Sequence, residues 1–397
     1  MELPRVKIGY GNGAIGQTVS SADGLLLIAI AGAIAVETTF ALAKHYPLQR
    51  LSSLEELGVT AENNPLVYKV VKDFYTEANE GTKVYIVGYP STLTMSAILD
   101  KDNPYLRDVI ELTRGEIRGI VITKSLEETP TIAGGLSDDV KAAMIAAQGL
   151  GEWSTETMQA PIFTLIDGVG YAGNAEDLED LKTFTNNRVG IVIGDTVKGS
   201  VNQAVGLVAG RVANVPVHRN IGRVKDGALK VATMYAKDKA IELSDIATIH
   251  GKGYITFRTF TGLSGYYIAD DLLATKEIDD YNQLTRRRTI DKARRIAYPT
   301  LVNELLDEIP VNADGTILET TAASIEQIVI NAIANSMTVN GELSTDPSDA
   351  NDQGVQCVVD RTIDMLATNR IDIELRVRPY AYAKYINVLL GFTINQN

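Results

Sequence analysis

The feature that most constrains the fold is a regular alternation of short apolar segments with helical patterns between about residues 25 and 200. Each apolar segment is a continuous run, as in strands buried on both faces, and does not alternate with polar residues. The runs occupy residues 25–31, 84–87, 119–122, 162–166 and 189–193. Buried strands joined by helices predict a largely parallel sheet covered on both faces, which is an α/β fold.

The helix signals in this region lie between the predicted strands. Asn64-Pro65 and Asn103-Pro104 each place proline at a first helical position, where its missing N–H costs nothing. Residues 52–58 read as a capping box closed by glycine, and Ser137 precedes two acids at the start of a helix that should run to Leu150. A further charged helix is predicted over residues 175–184.

Beyond residue 200 the pattern becomes that of an α+β domain. A helix of small residues at 204–213 is suited to close packing on a neighbour, and residues 254–260 alternate as a half-exposed strand does. Two more helical patterns cover residues 281–309, where Pro299 should kink or divide the helix, and 322–336. The polar stretch 341–354 is expected to be a mobile loop.

Both ends of the chain alternate apolar and polar residues and are predicted to be strands. A terminal strand exposes an edge, and an exposed edge pairs readily with another chain. We therefore predict that both ends act as inter-subunit arms. The residues predicted to set their register are Val6, Ile8, Tyr10, Ile371, Ile373, Leu375, Val377, Ile386, Val388, Leu390 and Phe392.

Composition excludes several classes of protein. A formal net charge of -13 over 397 residues argues against nucleic-acid binding, which needs clustered cations. The single cysteine, Cys357, rules out an intrachain disulfide and is expected to be a small core residue. The chain has no signal-peptide pattern, and its longest apolar run, residues 25–36, is too short for a membrane helix. These features predict a cytoplasmic protein that does not insert into membranes.

Two glycine-rich segments keep one enzymatic alternative open. Residues 11–16 spell G-x-G-x-x-G after a predicted strand, and Glu37 follows at the distance of a ribose-binding acid, but residues 17–24 do not read as the helix that a dinucleotide site needs. Residues 194–200 resemble a P-loop whose lysine is missing from its place. The alternative to a structural protein is therefore an α/β enzyme that binds NAD or a nucleotide at one of these loops.

Other signs of chemistry are weak. The three histidines, His45, His218 and His250, lack the spacing of metal ligands, and no G-x-S-x-G marks a nucleophile. The pairs Asp270-Asp271 and Asp279-Asp280 fit helix-start and turn acids better than a cation site. We predict no catalytic residue, metal or cofactor.

A run of arginines stands out in this acidic chain. It comprises Arg286, Arg287, Arg288, Arg294 and Arg295. Three interpretations are open: a solvated helix face, an isolated nucleic-acid patch, or a face that meets the acidic surface of a neighbouring copy through arginine–carboxylate pairs.

Several stretches spread over most of the chain point to one family. They are residues 3–24, residues 52–58 with the helix and strand that follow, residues 206–213 with their G-x-x-A-G pattern, Phe257-Arg258-Thr259, the helix of residues 281–295, and residues 378–392. Together they resemble bacteriophage and phage-like contractile tail sheath proteins.

This resemblance implies an architecture and partners. In sheath proteins the terminal strands of one subunit complete a sheet in its neighbours, which links rings into a helical mesh. The chain should then have an N-terminal arm in residues 1–24, an inserted α/β domain in 25–200, and a core domain with a C-terminal β arm in 201–397. Its expected partners are copies of itself, an inner tail tube protein, and baseplate and terminator proteins. It should assemble in the bacterial cytoplasm and end in a virion tail or phage-like particle. A tube or capsid protein is a further alternative.

Overall fold

The computed structural model describes residues 22–126 and 129–391. The chain divides into two compact units between Tyr298 and Pro299. The helices are α1 (Leu51–Glu56), α2 (Pro65–Glu77), α3 (Met95–Leu99), α4 (Pro104–Leu112), α5 (Asp138–Glu156), α6 (Val205–Asn214), α7 (Ile246–Gly251), α8 (Leu284–Val302), α9 (Glu319–Ile333) and α10 (Met365–Thr368).

The strands include six that form the main sheet and ten that form small two-stranded sheets. In chain order they are β1 (Leu26–Ala31), β2 (His45–Leu48), β3 (Val84–Tyr89), β4 (Gly119–Lys124), β5 (Ile132–Ala133), β6 (Leu136–Ser137), β7 (Phe163–Asp167), β8 (Thr185–Asn186), β9 (Val189–Val192), β10 (Tyr235–Ala236), β11 (Lys239–Ala240), β12 (Phe257–Phe260), β13 (Leu263–Ile268), β14 (Ala274–Thr275), β15 (Val355–Val359) and β16 (Ile373–Val377).

The first unit is built on the main sheet, with strand order β2-β3-β1-β4-β7-β9. All neighbouring pairs are parallel except β2 with β3. In the centre, Leu26 lies opposite Val84 on one side and Gly119 on the other. The five predicted apolar runs are the five parallel strands, and their side chains are almost entirely buried. The predicted parallel sheet and α/β fold are therefore confirmed.

The predicted helix over residues 175–184 is wrong. Two separate 3₁₀ turns, Ala175–Asp177 and Leu181–Thr183, occupy this stretch. The side chain of Asn174 accepts a hydrogen bond from the Glu176 amide, and Asp180 accepts one from the Lys182 amide. Such local side-chain bonds compete with a continuous helix, so the backbone turns twice and does not propagate.

Small residues let α6 lie directly against α2, as the pattern at 204–213 predicted. A Cβ added to Gly206 would collide with the carbonyl oxygen of Val70, and one added to Gly210 would collide with that of Phe74. The backbones of the two helices therefore touch without intervening side chains, and each glycine is required by this contact.

We expect Gly210→Ala to lower the free energy of unfolding by about 1–3 kcal/mol, because the added methyl meets backbone atoms that cannot move independently. Gly149→Ala on α5 is the matched control, since a Cβ there meets nothing within 4 Å. The control should be neutral or stabilising by up to about 1 kcal/mol, through helix propensity alone. Urea denaturation of the two variants measures the difference, and equal effects would contradict the close crossing.

The core of the first unit continues past residue 200. Ala204, Val205, Leu207 and Val208 belong to the same buried cluster as the strands of the main sheet. The division between compact units therefore falls at Tyr298, and the division of the chain into an inserted and a core sheath domain near residue 200 stays a prediction.

The predicted strand at 254–260 is observed as a hairpin. β12 pairs with β13 from Phe257 opposite Ile268, with an irregularity between Arg258 and Phe260. The helix predicted over 281–309 is shorter than expected. It continues through Pro299 and ends at Val302, within one turn of the proline. Proline has no backbone donor, so the helix passes residue 299 with one hydrogen bond fewer and is not divided there.

The second unit is small. Helix α9 packs on the sheet formed by β15 and β16, and the buried residues Ile317, Ala322, Ile325 and Val359 form its core. Residues 341–354 have no strand or helix, and whether they are mobile stays a prediction. None of the described helices combines the length and hydropathy needed to span a membrane.

Candidate assembly and binding surfaces

The C-terminal tail is the most exposed apolar segment of the described chain. Ile386, Val388, Leu389 and Leu390 are between 78 and 101% exposed. The strand predicted from Ile386 onward is not formed in the described residues, where no regular structure is assigned after β16. A strand needs a partner for its backbone groups, and the chain places none beside this stretch among its described residues. Phe392 and the N-terminal residues Val6, Ile8 and Tyr10 lie outside the described residues.

The other predicted arm segment is a strand within its own unit. β16 pairs antiparallel with β15, with Cys357 opposite Leu375 and Val359 opposite Ile373. Ile371 and Ile373 pack on the core of the second unit. Each strand has a ladder partner on one side only among the described residues. Two strands make a marginal sheet. The Val359 amide of β15 already donates to the carboxylate of Glu326 on α9 at 2.8 Å, so the outer edge of β16 is the one left to accept a further strand.

The arginines of the run at residues 286–295 form hydrogen bonds and ion pairs within their own chain. Three of its members reach the carboxyl ends of three helices of the first unit. Arg295 donates to the carbonyls of Gly115 and Ile117, in the loop that joins the end of α4 to β4, at 2.7 and 2.9 Å. Arg294 donates to the carbonyl of Thr155 in the last turn of α5, at 3.0 Å, and Arg288 to that of Val215 after α6, also at 3.0 Å. Cations stabilise this end of a helix, where carbonyl groups lack intrahelical partners.

The remaining members are also engaged within the chain. Arg287 lies 2.8 Å from the carboxylate of Asp291, which also accepts from Arg188 at 3.2 Å. Arg286 makes only long contacts of 3.5 Å, to Asp280 and Asn282. Arg287 and Arg288 are buried, so the interpretation as a solvated helix face is wrong for them. A contact of these five arginines with a neighbouring copy stays a prediction, and four of them already have strong partners.

The P-loop-like segment is hydrogen-bonded to its own chain. The amide of Gly194 donates to the side-chain oxygen of Gln203 at 2.8 Å, and that of Asp195 to the carbonyl of Tyr235 at 2.8 Å. The Gly199 amide donates to the carbonyl of Lys237 at 3.0 Å. A phosphate loop presents such amides to its ligand. These amides are already used, which removes support for nucleotide binding here. The first glycine-rich segment, residues 11–16, lies outside the described residues.

Three backbone amides near the usual ligand position of such a sheet are paired within the chain. Nucleotides bind beyond the carboxyl ends of strands where the winding reverses, which is between β1 and β4 in this sheet. The Ser125 amide, after β4, donates to the Ala31 carbonyl at the end of β1. The amides of Gly32 and Ala33, after β1, donate to the Tyr89 carbonyl of β3, on the other side of β1. These three amides are therefore not available to a phosphate.

A buried carboxylate that the sequence pattern did not single out lies at this edge. Asp167, at the end of β7, accepts hydrogen bonds from the Thr123 hydroxyl at 2.5 Å, the Asn202 amide at 3.0 Å and the Gln203 backbone at 2.8 Å. These bonds tie the loop that precedes α6 to the strand ends. Complete burial raises the pKa of Asp167 to about 7. The three hydrogen bonds that it accepts lower the pKa, but they offset only part of the effect of burial.

This shift predicts a pH dependence of stability. The folded pKa lies above the unfolded value of 3.8, so the folded protein holds a proton that the unfolded chain releases. Asp167 therefore contributes its full share of the folding stability below about pH 4. This share falls by about 2–4 kcal/mol as the pH rises to about 7. Asp167→Asn should flatten this fall in urea denaturation between pH 4 and 8. Asp102→Asn, at an exposed carboxylate, is the control and should leave the slope unchanged. Identical slopes in wild type and Asp167→Asn would contradict the assignment.

The two aspartate pairs are bonded to neighbouring side chains, and Asp270 also lies 3.6 Å from Nε2 of His250. Asp270 and Asp271 both accept from Asn220 at 2.8 Å, and Asp279 bonds to Thr275 at 3.0 Å. No cluster of potential metal ligands occurs in residues 22–126 and 129–391. Cys357 is buried, and burial raises the pKa of its thiol to about 11, as expected of a core residue.

Sequence comparison gives matches over nearly the whole chain. Residues 3–272 match the family model described as DUF2586, N-terminal domain, and residues 280–397 match that of the DUF2586, C-terminal domain. None of the curated proteins that were compared matches the sequence.

Three of the solved chains with a similar structure come from contractile particles. One is a chain of the anti-feeding prophage baseplate, with 14% identity, a TM-score of 0.63 and 100% of both chains covered. A second is from the contracted helical sheath of the same particle, with 14% identity, a TM-score of 0.60 and 99% of both chains covered. A third is from the contracted PVC sheath complex of an extracellular contractile injection system, with 13% identity, a TM-score of 0.59 and 98% coverage of both. The sheath-like fold expected from the resemblance is thereby confirmed.

Proposed function

The chain belongs to the DUF2586 family, and we propose that it is a structural subunit of a contractile tail sheath in a phage or phage-like particle. It shares its fold along nearly its whole length with chains of contractile particles. In this function the chain carries out no chemistry and needs no cofactor. Its role is to polymerise around an inner tube.

The observation that carries this proposal is the exposed apolar tail beyond β16. Burying Ile386, Val388 and Leu390 on a neighbour would remove apolar surface from water, and extending the tail as a strand would satisfy its backbone. The outer edge of β16 has no ladder partner among the described residues and lies in the same unit of the chain. Each copy therefore carries both a donor strand and an acceptor sheet, which is the requirement for an open polymer built from one subunit.

The proposed assembly uses the parts of the chain differently. Residues 1–24 act as the N-terminal arm, residues 201–397 as the core domain with its C-terminal arm, and residues 25–200 as an outward insertion. The partners are further copies of the chain, an inner tail tube protein, and baseplate and terminator proteins. Assembly takes place in the bacterial cytoplasm, and the product is a tail or phage-like particle.

Contraction needs no nucleotide in this proposal. The work is stored when subunits assemble into an extended lattice that buries less interface than the contracted one. Arms held by backbone hydrogen bonds stay paired while the bodies of the subunits slide past one another. The tube inside is then driven through the target envelope.

Electron microscopy of the purified chain tests the proposal. We expect hollow tubes or stacked rings in negative stain, which shorten and widen under mild denaturing treatment. Tubes that never change length would favour an inner tube protein, and closed shells a capsid protein. A chain that stays monomeric at all concentrations and is stabilised by NAD or a nucleotide in thermal-shift assays would support the enzymatic alternative.

A further inference from the structure

Helix α9 turns one side to the core of the second unit and the other side to the surface. Ala322 and Ile325 pack with Val359 in that core, and Val329 and Ile333 continue the buried side along the helix. Exposed residues follow one another at helical spacing on the opposite side. This outer face of α9 consists of Thr320, Ser324, Gln327, Ile328 and Asn331, with Asn335 in the turn that follows the helix.

The outer face of α9 carries no charged side chain. Residues 320–341 contain one charged residue, Glu326, and it is used within the second unit. Its carboxylate accepts from the Val359 amide and from Arg361, both at 2.8 Å. By contrast α5, another long helix at the surface, exposes Lys141, Glu152 and Glu156. A helix face that lies against water usually carries charges, so the outer face of α9 differs from an ordinary solvated face.

Two aliphatic side chains are exposed on or next to this face. Ile328 is 40% exposed, and Val339, one residue beyond the π-helical turn Ala334–Thr338, is 75% exposed. The side-chain amide of Gln327 donates to that of Asn331 at 2.9 Å, so these two side chains already hold each other on the helix surface. Lack of charge together with exposed aliphatic groups is typical of the buried centre of a protein interface. Side chains that are ordered in advance lose less entropy when a partner covers them.

The charge of the surrounding chain decides which partner fits. Residues 299–360 contain 11 acidic residues and no lysine, arginine or histidine, and the whole chain carries a formal net charge of -13. A basic partner would be attracted to those acids and would gain nothing from an uncharged face. Two acidic copies repel each other wherever their charges meet, so they associate best through surfaces without acids. The outer face of α9 is such a surface, within the part of the chain that has no cation.

We propose that the outer face of α9 packs against a neighbouring copy of the chain, as a second self-association surface besides the C-terminal tail. The inference rests on the proposed function, because it assigns a further contact to the same polymer. The tail links copies through strand pairing, and the outer face of α9 links them through close packing of side chains. A stable polymer needs both contacts.

Insertion of a charge at Ile328 tests this contact in the full chain. Ile328→Glu and Ile328→Lys should each raise the lowest protein concentration at which polymers sediment by about tenfold or more, because either charge would be buried without a partner. The two signs separate packing from net charge. If net charge alone mattered, Ile328→Lys would polymerise more readily than the wild type. Asn331→Lys repeats the test at an exposed polar position of the same face, in case an Ile328 variant does not fold.

The matched controls are Ile145→Glu and Ile145→Lys on α5, where the side chain is 57% exposed. Both should polymerise at the wild-type concentration. An equal loss of polymer at Ile145 would show that any added surface charge interferes, and it would overturn the assignment to α9.

A cysteine on the same face gives a readout that does not require impaired assembly. Asn331→Cys should react with a maleimide in the monomer and be protected in the polymer, whereas Ile145→Cys should react equally in both. The native thiol of Cys357 is buried. An Asn331→Cys thiol that stays reactive in polymers, or Ile328 variants that polymerise like the wild type, overturn the α9 contact and leave the proposed function intact. A wild-type chain that forms no polymer at any concentration overturns both.

Discussion

Deleting residues 380–397 should abolish polymer formation and leave the body of the chain folded. The apolar side chains of Ile386, Val388, Leu389 and Leu390 are exposed in the isolated chain, so their loss removes little packing within it. The contacts of Tyr380, Tyr382 and Lys384 are lost as well, so the free energy of unfolding should fall by no more than about 1 kcal/mol. In negative stain the truncated protein should show no tubes, and in size-exclusion chromatography it should elute as a monomer.

A pair of point variants separates strand pairing from simple loss of apolar surface. Alternate residues of a strand face opposite sides, so Leu390 belongs to the set with Ile386 and Val388, and Leu389 faces the other way. Both leucines are more than 90% exposed in the isolated chain. Leu390→Ser should impair tube formation much more than Leu389→Ser. Normal tubes from the truncated protein would count heavily against the arm as the link between subunits.

Arg211→Met should be the most destabilising single substitution that we predict, at about 3–5 kcal/mol. Arg211 on α6 and Glu77 at the end of α2 form a buried pair at 2.8 Å. Glu77 also accepts from the amide of Lys230 at 2.6 Å. Without the guanidinium group, the carboxylate is left buried without its counter-charge. Urea denaturation at pH 7 measures the loss.

The pair of Arg223 and Asp226 provides the control. These side chains lie 2.7 Å apart, Arg223 is 42% exposed, and Asp226 keeps a second cationic partner, Arg219 at 3.5 Å, when Arg223 is replaced. Arg223→Met should cost less than about 1 kcal/mol. The double variant Arg211→Met, Glu77→Met should recover much of the lost stability, because it removes both buried charges together. Similar costs for the two arginine variants would show that burial of the pair does not matter.

The strands and most helices of the first unit could be predicted because their signals are local. Pro65 and Pro104 mark first helical positions, and the five apolar runs are each the length of one strand. Helix α3 was not predicted, because it is short and only part of its capping is local. The Thr94 hydroxyl accepts from the Ala97 amide at 3.1 Å, which is a signal that the sequence does carry. Asp139, on α5, accepts from the amides of Met95 and Ser96 at 2.7 and 3.1 Å, and this second cap exists only after the chain has folded.

The arginine run shows a second limit of the sequence. A cluster of cations on a helix suggests a solvated or partner-binding face, because the sequence does not show which acceptors it will meet. The acceptors here are carbonyls at or just after the ends of α4, α5 and α6. Along the chain, an acceptor of Arg288 lies 72 residues away and one of Arg295 lies 180 residues away. The charge network of Asp167 was missed for the same reason, since its donors come from β4 and from the loop before α6.

The C-terminal tail differs from both cases. Its alternating pattern predicts a strand, but the isolated chain gives it no partner among the described residues. The pattern can be satisfied by a second copy, and the sequence alone does not distinguish a strand paired within its own chain from one paired with a neighbour.

A cryo-electron microscopy map of the assembled polymer, at a resolution that traces the backbone, would show where the C-terminal tail lies. We expect residues 386–391 to form a strand against the β15–β16 sheet of a different copy, with Ile386, Val388 and Leu390 on one buried face. A polymer in which these residues fold back on their own chain, or remain exposed while other surfaces hold the copies together, would contradict it.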